Sequence, residues 1–228
     1  STPIMGDRIY YARWQVENNY DDSEGVLPGD IPEGGIPEGL WIAGIESQGY
    51  MYTGQAVKPQ VRVYDGNVRL QNGRDYSLSY KNNTKANDAN NEKTAPVVIV
   101  KGKGNYSGTE TAVFAINPVN LNDENIIADD ITVAYNNKIQ KKLPTLTYNG
   151  KKLSNKKDFT VSYPEEGADA YKAAGTYNIT VAAKNGGNFT GTRTVKLTIT
   201  NSRLISKVAV KKIMSQEYTG SAVEPAFS

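Results

Sequence analysis

A short text occurs twice in this chain. KGKGNYSGT at residues 101–109 returns as KNGGNFTGT at residues 184–192, and one constant offset relates Asn105 to Asn188, Tyr106 to Phe189, Gly108 to Gly191, and Thr109 to Thr192. A fixed long period marks a repeated supersecondary unit, so the fold must be one that about 83 residues can build more than once. Glycine and asparagine at the centre of each copy, with β-branched runs on both sides, predict a hairpin tip repeated once per unit.

The flanks carry the same period. Tyr76, Leu78 and Tyr80 alternate with Ser77 and Ser79, and one period on stand Phe159, Val161 and Tyr163. Pro96, Val98 and Val100 lead into the first hairpin, and Tyr177, Ile179, Val181 and Ala183 lead into the second. Ala112, Phe114 and Ile116 leave the first hairpin and match Val195, Leu197 and Ile199. Alternation with period 2 predicts strands with one buried face. The outward positions are read as free to swap, since Glu110 becomes Arg193 and Val113 becomes Lys196. Val57, Pro59, Val61 and Val63 read as a further alternating strand, with Pro59 where a missing donor is tolerated. Asp65-Gly66 and Asn72-Gly73 supply turns.

A second landmark is Tyr52-Thr53-Gly54. Its glycine is replaced by Asn137 in the second unit and returns as Gly220. Glycine and asparagine are the residues that tolerate positive φ, so one backbone geometry is expected three times. Gly220 lies two whole periods beyond Gly54, and Pro225 lies the same two periods beyond Pro59. A third unit has therefore begun, and the natural protein is expected to continue beyond Ser228.

With 15 Tyr, 21 Gly and almost no helical periodicity, the 228 residues read as all-β. The expected division is 1–40, an aromatic strand segment and an acidic Pro/Gly linker; 41–119 and 120–202, two sandwich modules; and 203–228, an incomplete third repeat. Residues 17–38 hold seven acidic side chains, no Lys or Arg, and IPEG twice; this reads as a semi-extended linker that buries no core. Charge is balanced, 26 basic against 24 acidic residues, which argues against nucleic acid and anionic membranes as partners. No apolar run approaches the roughly 20 residues of a membrane-spanning helix.

YTGQAVKP from Tyr52, GRDYSLSYKNN from Gly73, KGKGNYSGT from Lys101 and a closing T-x-F-x-I together resemble the bacterial immunoglobulin-like repeats of large Firmicute (Lachnospiraceae-like) surface proteins. The second unit departs from the pattern at Tyr135-Asn136-Asn137, in two extra residues before Pro144, and in its hairpin text. The resemblance spans about residues 41–228. It implies tandem immunoglobulin-like β-sandwich modules on the surface or in the wall of a bacterium. It also implies adhesion or binding of a host extracellular protein such as immunoglobulin, or of a glycan, with neighbouring repeats of the same chain as structural partners.

Chemistry is thinly represented. There is no Cys and no His, hence no thiolate, imidazole base or zinc cluster. The glycines and lysines of residues 101–109 lack the strand-to-helix context of a phosphate loop. NYDDSEG at residues 19–25 lacks the alternating ligands of a calcium loop. Asp75 and Asp158 recur immediately before a strand, where aspartate serves turn geometry. No catalytic residue, metal ligand or cofactor is expected, and an enzyme domain is disfavoured. An intramolecular Lys–Asn isopeptide link is not excluded by composition. Function is sought where the units differ: the exposed aromatic candidates Tyr10, Tyr11 and Trp14, and the non-repeated stretches 81–93 and 164–172. Trp41, the other tryptophan, is expected to pack into its module. The competing expectations are a purely structural stalk and a glycan-binding module of a surface enzyme.

Overall fold

The computed structural model describes residues 25–91, 93–201 and 220. After a single 3-10 turn at Pro28–Asp30, the first half runs through β1 (Leu40–Ala43), β2 (Tyr50–Met51), β3 (Arg62–Asp65), β4 (Val68–Arg69), β5 (Tyr76–Lys81), β6 (Val97–Gly102), β7 (Thr109–Val113) and β8 (Ile116–Asn117). The second half follows with β9 (Val119–Asn120), β10 (Ile126–Ala128), β11 (Ile131–Ala134), β12 (Leu146–Tyr148), β13 (Lys151–Lys152), β14 (Phe159–Ser162), β15 (Gly175–Ala183), β16 (Phe189–Thr190) and β17 (Thr192–Thr200). The chain is all-β among the described residues, as its composition predicts.

Each half has two principal sheets. They are β1-β3-β4 and β5-β6-β7 in the first, and β10-β12-β13 and β11-β17-β15-β14 in the second. In the second half Ile126, Leu146 and Tyr148 of one sheet meet Phe159, Ile179, Val181, Val195, Leu197 and Ile199 of the other in a single apolar cluster. In the first, Leu40, Val63 and Leu70 meet Tyr76 and Val100. The predicted strand faces are the ones buried: Val98, Ala112, Phe114 and Ile116 are at most 2% exposed. Pro59, Val61 and Val63 are buried in alternation, although the hydrogen-bonded strand begins only at Arg62.

The ladders carry the period. Tyr64↔Arg69 recurs as Thr147↔Lys152, and the parallel pair Tyr50↔Ile116 recurs as Val133↔Ile199, each partner one period on. The positive φ expected three times is found at Gly54 (78°), Asn137 (59°) and Gly220 (78°). At the hairpin the period slips. Lys101 pairs with Thr109, whereas Ala182 pairs with Thr192. The outgoing strand keeps its spacing and the incoming strand is two residues short of it, so the second tip is two residues longer. Lys101 and Lys184, matched by text, are therefore not equivalent. Lys184 N–H donates to the Asp158 carbonyl (3.0 Å), the bond that Lys103 makes to Asp75 (2.8 Å).

Two other expectations give way. Residues 25–39, read as a linker, pack on the first half. The Asp30 carboxylate, with its side chain 3% exposed, forms a two-pronged ion pair with Arg62 and accepts the Tyr64 hydroxyl at 2.6 Å. Pro37 is buried, and Gly39 O accepts the Gly66 N–H at 2.7 Å. This strap lies beside the stacked pair Trp41 and Tyr64, whose centroids are 4.4 Å apart and which are 1% and 0% exposed. Arg193, read as an interchangeable outward residue, donates from Nη1 to the carbonyls of Leu121 (3.1 Å) and Ile126 (2.6 Å) and ties the start of the second half to its last strand.

Candidate interface between the two halves

The turn at Tyr52-Thr53-Gly54 is fixed from three sides. Tyr52 N–H donates to Asn117 O (2.9 Å), extending the β2–β8 pairing. Thr53 Oγ1 accepts from Gln55 N–H (3.2 Å), and Gly54 takes the left-handed conformation that a β-carbon would penalise. This turn projects three consecutive carbonyls, and the second half meets each with a side-chain donor. Tyr148 Oη donates to Tyr52 O (2.7 Å), Asn149 Nδ2 to Thr53 O (3.2 Å), and Lys151 Nζ to Gly54 O (3.3 Å).

Those donors sit on or beside one tight hairpin, where β12 pairs with β13 across Asn149-Gly150. Both central residues have positive φ (46° and 74°), the geometry that matches strand twist in a two-residue loop. The Tyr52 ring packs into the second half's aromatic cluster, 6.1 Å from Tyr148 and 5.8 Å edge-on to Phe189; Tyr148 and Phe189 are 5.6 Å apart, also edge-on. Burial pushes the phenol pKa of both Tyr52 and Tyr148 above the ordinary value, so the cluster stays neutral through physiological pH.

A second contact lies beside the first. Ala86 N–H donates to Asn188 Oδ1 (2.9 Å) at the tip of the second hairpin. The connecting residues run along the same tip: Val119 and Asn120 pair in parallel with Phe189 and Thr190, and Leu121 N–H donates to Thr190 O (2.8 Å). A β-carbon on Gly191 would lie 2.9 Å from the Asn120 side chain, which explains the glycine there. Between loop and tip remains a cleft of about 420 Å³, its polar lining including Asn87, Asp88, Lys184 and Asn185.

The stretches proposed for contact prove largely self-engaged. In the loop after β5, Asn82 donates to Ala95 O (3.1 Å), Asn83 to Val57 O (2.8 Å) and Asn87 to Thr94 O (2.8 Å), leaving Lys85, Asp88, Asn90 and Asn91 outward. The insertion 164–172 is pinned by Tyr171, which is 0% exposed at a φ of 58°. Its hydroxyl, with one proton to give, lies within hydrogen-bond reach of both the Glu165 carboxylate and Asn178 O (2.7 Å), and its ring lies 5.4 Å from Tyr163 and 4.9 Å from Tyr177. Burial, reinforced by Glu165, pushes its pKa up to about 12.

Asp75 and Asp158 brace turns. Asp75 accepts Gln71 N–H (2.8 Å) and Arg74 (2.9 and 3.0 Å), and Asp158 accepts Ser154 N–H (2.7 Å). Burial of Asp75 raises its pKa, but the bonds from Arg74 and Gln71 outweigh it and hold the carboxyl below its usual range. No described lysine is buried, so a Lys–Asn link has no dry site among the described residues. Tyr10, Tyr11 and Trp14 lie outside the described residues. Trp41 packs inside, donating Nε1–H to Gly66 O (3.0 Å). Tyr52 and Asn188 stand in the repeated texts but were read as architecture rather than contacts, and Tyr148, Asn149 and Lys151 were not singled out by sequence. For Tyr52 a signal was present: a tyrosine stands two residues before the positive-φ residue in all three copies (52, 135 and 218). Comparison with protein families, curated proteins and solved structures finds no match.

Proposed function

We propose that this chain is a non-catalytic array of tandem immunoglobulin-like β-sandwich modules from a bacterial cell-surface protein, acting as a stiff spacer that carries an adhesive, host-protein-binding contact. One observation carries the spacer reading: consecutive modules are locked. A turn of the first is captured by three side-chain donors and an aromatic cluster of the second, with a further bond from Ala86 to Asn188. Hinged modules would show few bonds across the joint, since relative motion is the default for small interfaces. Backbone ¹⁵N relaxation on the full chain tests this. The two modules then share one rotational correlation time; separate, shorter times would end the spacer reading.

A second reading places a ligand contact in the array itself. The junction cleft is built where the modules differ, from the loop at Ala86, Asn87 and Asp88 and from the lengthened second tip. Its polar lining suits a glycan or the polar rim of a host protein such as immunoglobulin. Affinity capture from mucosal fluid with the chain, beside an Asp88→Arg/Asn185→Arg variant, decides it. Equal recovery by both, or none by either, removes the cleft as a binding site.

A further inference from the structure

We infer that two surfaces of this chain, a basic apolar loop on the second half and the acidic strap on the first, pair between separate copies, so that the protein associates with itself head to tail. The loop is residues 138–143, Lys-Ile-Gln-Lys-Lys-Leu. Its main-chain frame is common to both halves. Gln140 N–H donates to Tyr171 O (2.7 Å), as Val57 N–H does to Asn83 O (2.8 Å). Lys142 O accepts the Tyr163 hydroxyl (2.9 Å), as Pro59 O accepts that of Tyr80 (2.8 Å). Val57, Pro59 and Tyr80 stand one period before Gln140, Lys142 and Tyr163, so Pro144 falls at the position of Val61 and no residues are inserted before it. The same frame therefore carries different side chains. Gln55, Ala56, Pro59 and Gln60 become Lys138, Ile139, Lys142 and Leu143, while Lys58 stays basic as Lys141.

Ile139 and Leu143 are 62% and 52% exposed, although Gln140 and Pro144 beside them are buried. Lys138, Lys141 and Lys142 are exposed, and none forms an ion pair among the described residues. A single exposed apolar residue is ordinary. Two of them on a fixed main chain, set among three unpaired lysines, suit an acidic partner with apolar side chains of its own. The strap has that chemistry. Asp30 and the buried Pro37 hold it in place, yet Leu27, Ile31 and Ile36 remain 42%, 44% and 41% exposed. Glu33 and Glu38 are exposed and likewise form no ion pair among the described residues. Each surface presents an apolar residue beside a charge, twice: Lys138-Ile139 and Lys142-Leu143 on the loop, Ile31-Pro32-Glu33 and Ile36-Pro37-Glu38 on the strap. Both sets are exposed within one copy, so they do not cover each other there, and every copy carries both. A contact between unlike surfaces is heterologous; it repeats from copy to copy and builds a line unless its rotation closes a ring. So few side chains place it among weak, transient contacts, which strengthen where many copies are fixed side by side. The spacer reading does not depend on it.

Sedimentation velocity and ¹H–¹⁵N spectra of the full chain test this, from micromolar concentration to about 1 mM at low salt, where charges are least screened. The weight-average sedimentation coefficient should rise with concentration, and amide shifts should move together at Ile31, Ile36, Ile139 and Leu143. Glu33→Lys with Glu38→Lys makes both surfaces basic; Lys138→Glu with Lys142→Glu makes both acidic. All four side chains are exposed, so each variant should melt like the parent. Each alone should lose the association, and an equimolar mixture should regain it, because every surface then meets one of opposite charge. Should a double change unfold the chain, Glu38→Lys and Lys138→Glu singly take its place, with the same outcomes expected. A parent that stays monomeric at the highest concentration overturns the inference. Association that both folded variants keep, a mixture no better than its components, or shifts confined to other residues overturns it equally.

Discussion

Tyr52→Ala isolates what holds the modules together. The change removes a ring that contacts Tyr148 and Phe189 but leaves the backbone carbonyl that accepts the Tyr148 hydroxyl. Each aromatic contact contributes about 0.5–1.5 kcal/mol beyond area burial. Removing a fully buried aromatic side chain costs about 3–5 kcal/mol, and Tyr52 is only half-buried. The expected loss is about 2 kcal/mol, read by urea unfolding at neutral pH. It should fall on the coupling between modules, so the unfolding transition broadens or splits as the relaxation times of the two modules diverge. Met51→Ala, one residue away at a side chain 51% exposed, serves as control and should stay within about 0.5 kcal/mol of the parent. A double-mutant cycle pairing Tyr52→Ala with Phe189→Leu should give a coupling of about 1 kcal/mol. Additivity within about 0.3 kcal/mol would show that the rings touch without holding, and the lock would then rest on the hydrogen bonds alone.

Three further outcomes follow from the same geometry. Asp30→Asn should destabilise the first module by about 2–3 kcal/mol in urea, because it leaves Arg62 and Tyr64 facing a neutral amide. The bond from Arg62, aided by Tyr64, holds the Asp30 pKa below its reference of 3.8, so this contribution is present above that value and lost as pH falls through the lower folded pKa. Acid titrations of parent and Asp30→Asn should accordingly converge at low pH. Tyr171→Phe should cost about 1–2 kcal/mol, and ultraviolet titration should lose one phenol that ionises near 12; that phenol's stabilisation is intact below 10 and gone above about 12. Gly102→Ala should destabilise the first hairpin by about 1–3 kcal/mol, since the new β-carbon would sit 2.8 Å from the Tyr106 backbone, and circular dichroism melts check it.

Strand faces were legible because burial has the period of the pleat, and a repeat supplies two independent readings of each face. The recurring turn was legible because only glycine and asparagine accept its φ at little cost, which is why Gly54, Asn137 and Gly220 align by residue type alone. The strap was not legible. Proline, glycine and acid describe a segment without a core of its own, yet a single aspartate reaching an arginine 32 residues away anchors it. The longer second tip was hidden because matching text at Asn188, Phe189 and Gly191 masks a two-residue slip in the strand before it. Tyr171 was hidden because its left-handed backbone is a tertiary demand that no tyrosine announces. The joint escaped for a different reason: half of it is main chain, and carbonyl oxygens carry no residue code.

That last point explains the uneven way in which the repeats vary. A turn that offers carbonyls can change from Tyr-Thr-Gly to Tyr-Asn-Asn without altering what it presents, provided its φ is kept. The receiving side has no such freedom, because its donors are side chains. One period before Tyr148, Asn149 and Lys151 stand Asp65, Gly66 and Val68, which offer no side-chain donor to a carbonyl. Gly66 is moreover already engaged, its N–H by Gly39 and its carbonyl by the Trp41 indole. The first half therefore gives a turn by this chemistry and carries no matching side-chain donors at the three equivalent positions, where Gly66 is instead held by the strap of residues 25–39. The junction consequently has a direction, the first half offering main-chain carbonyls and the second half the side-chain donors that meet them.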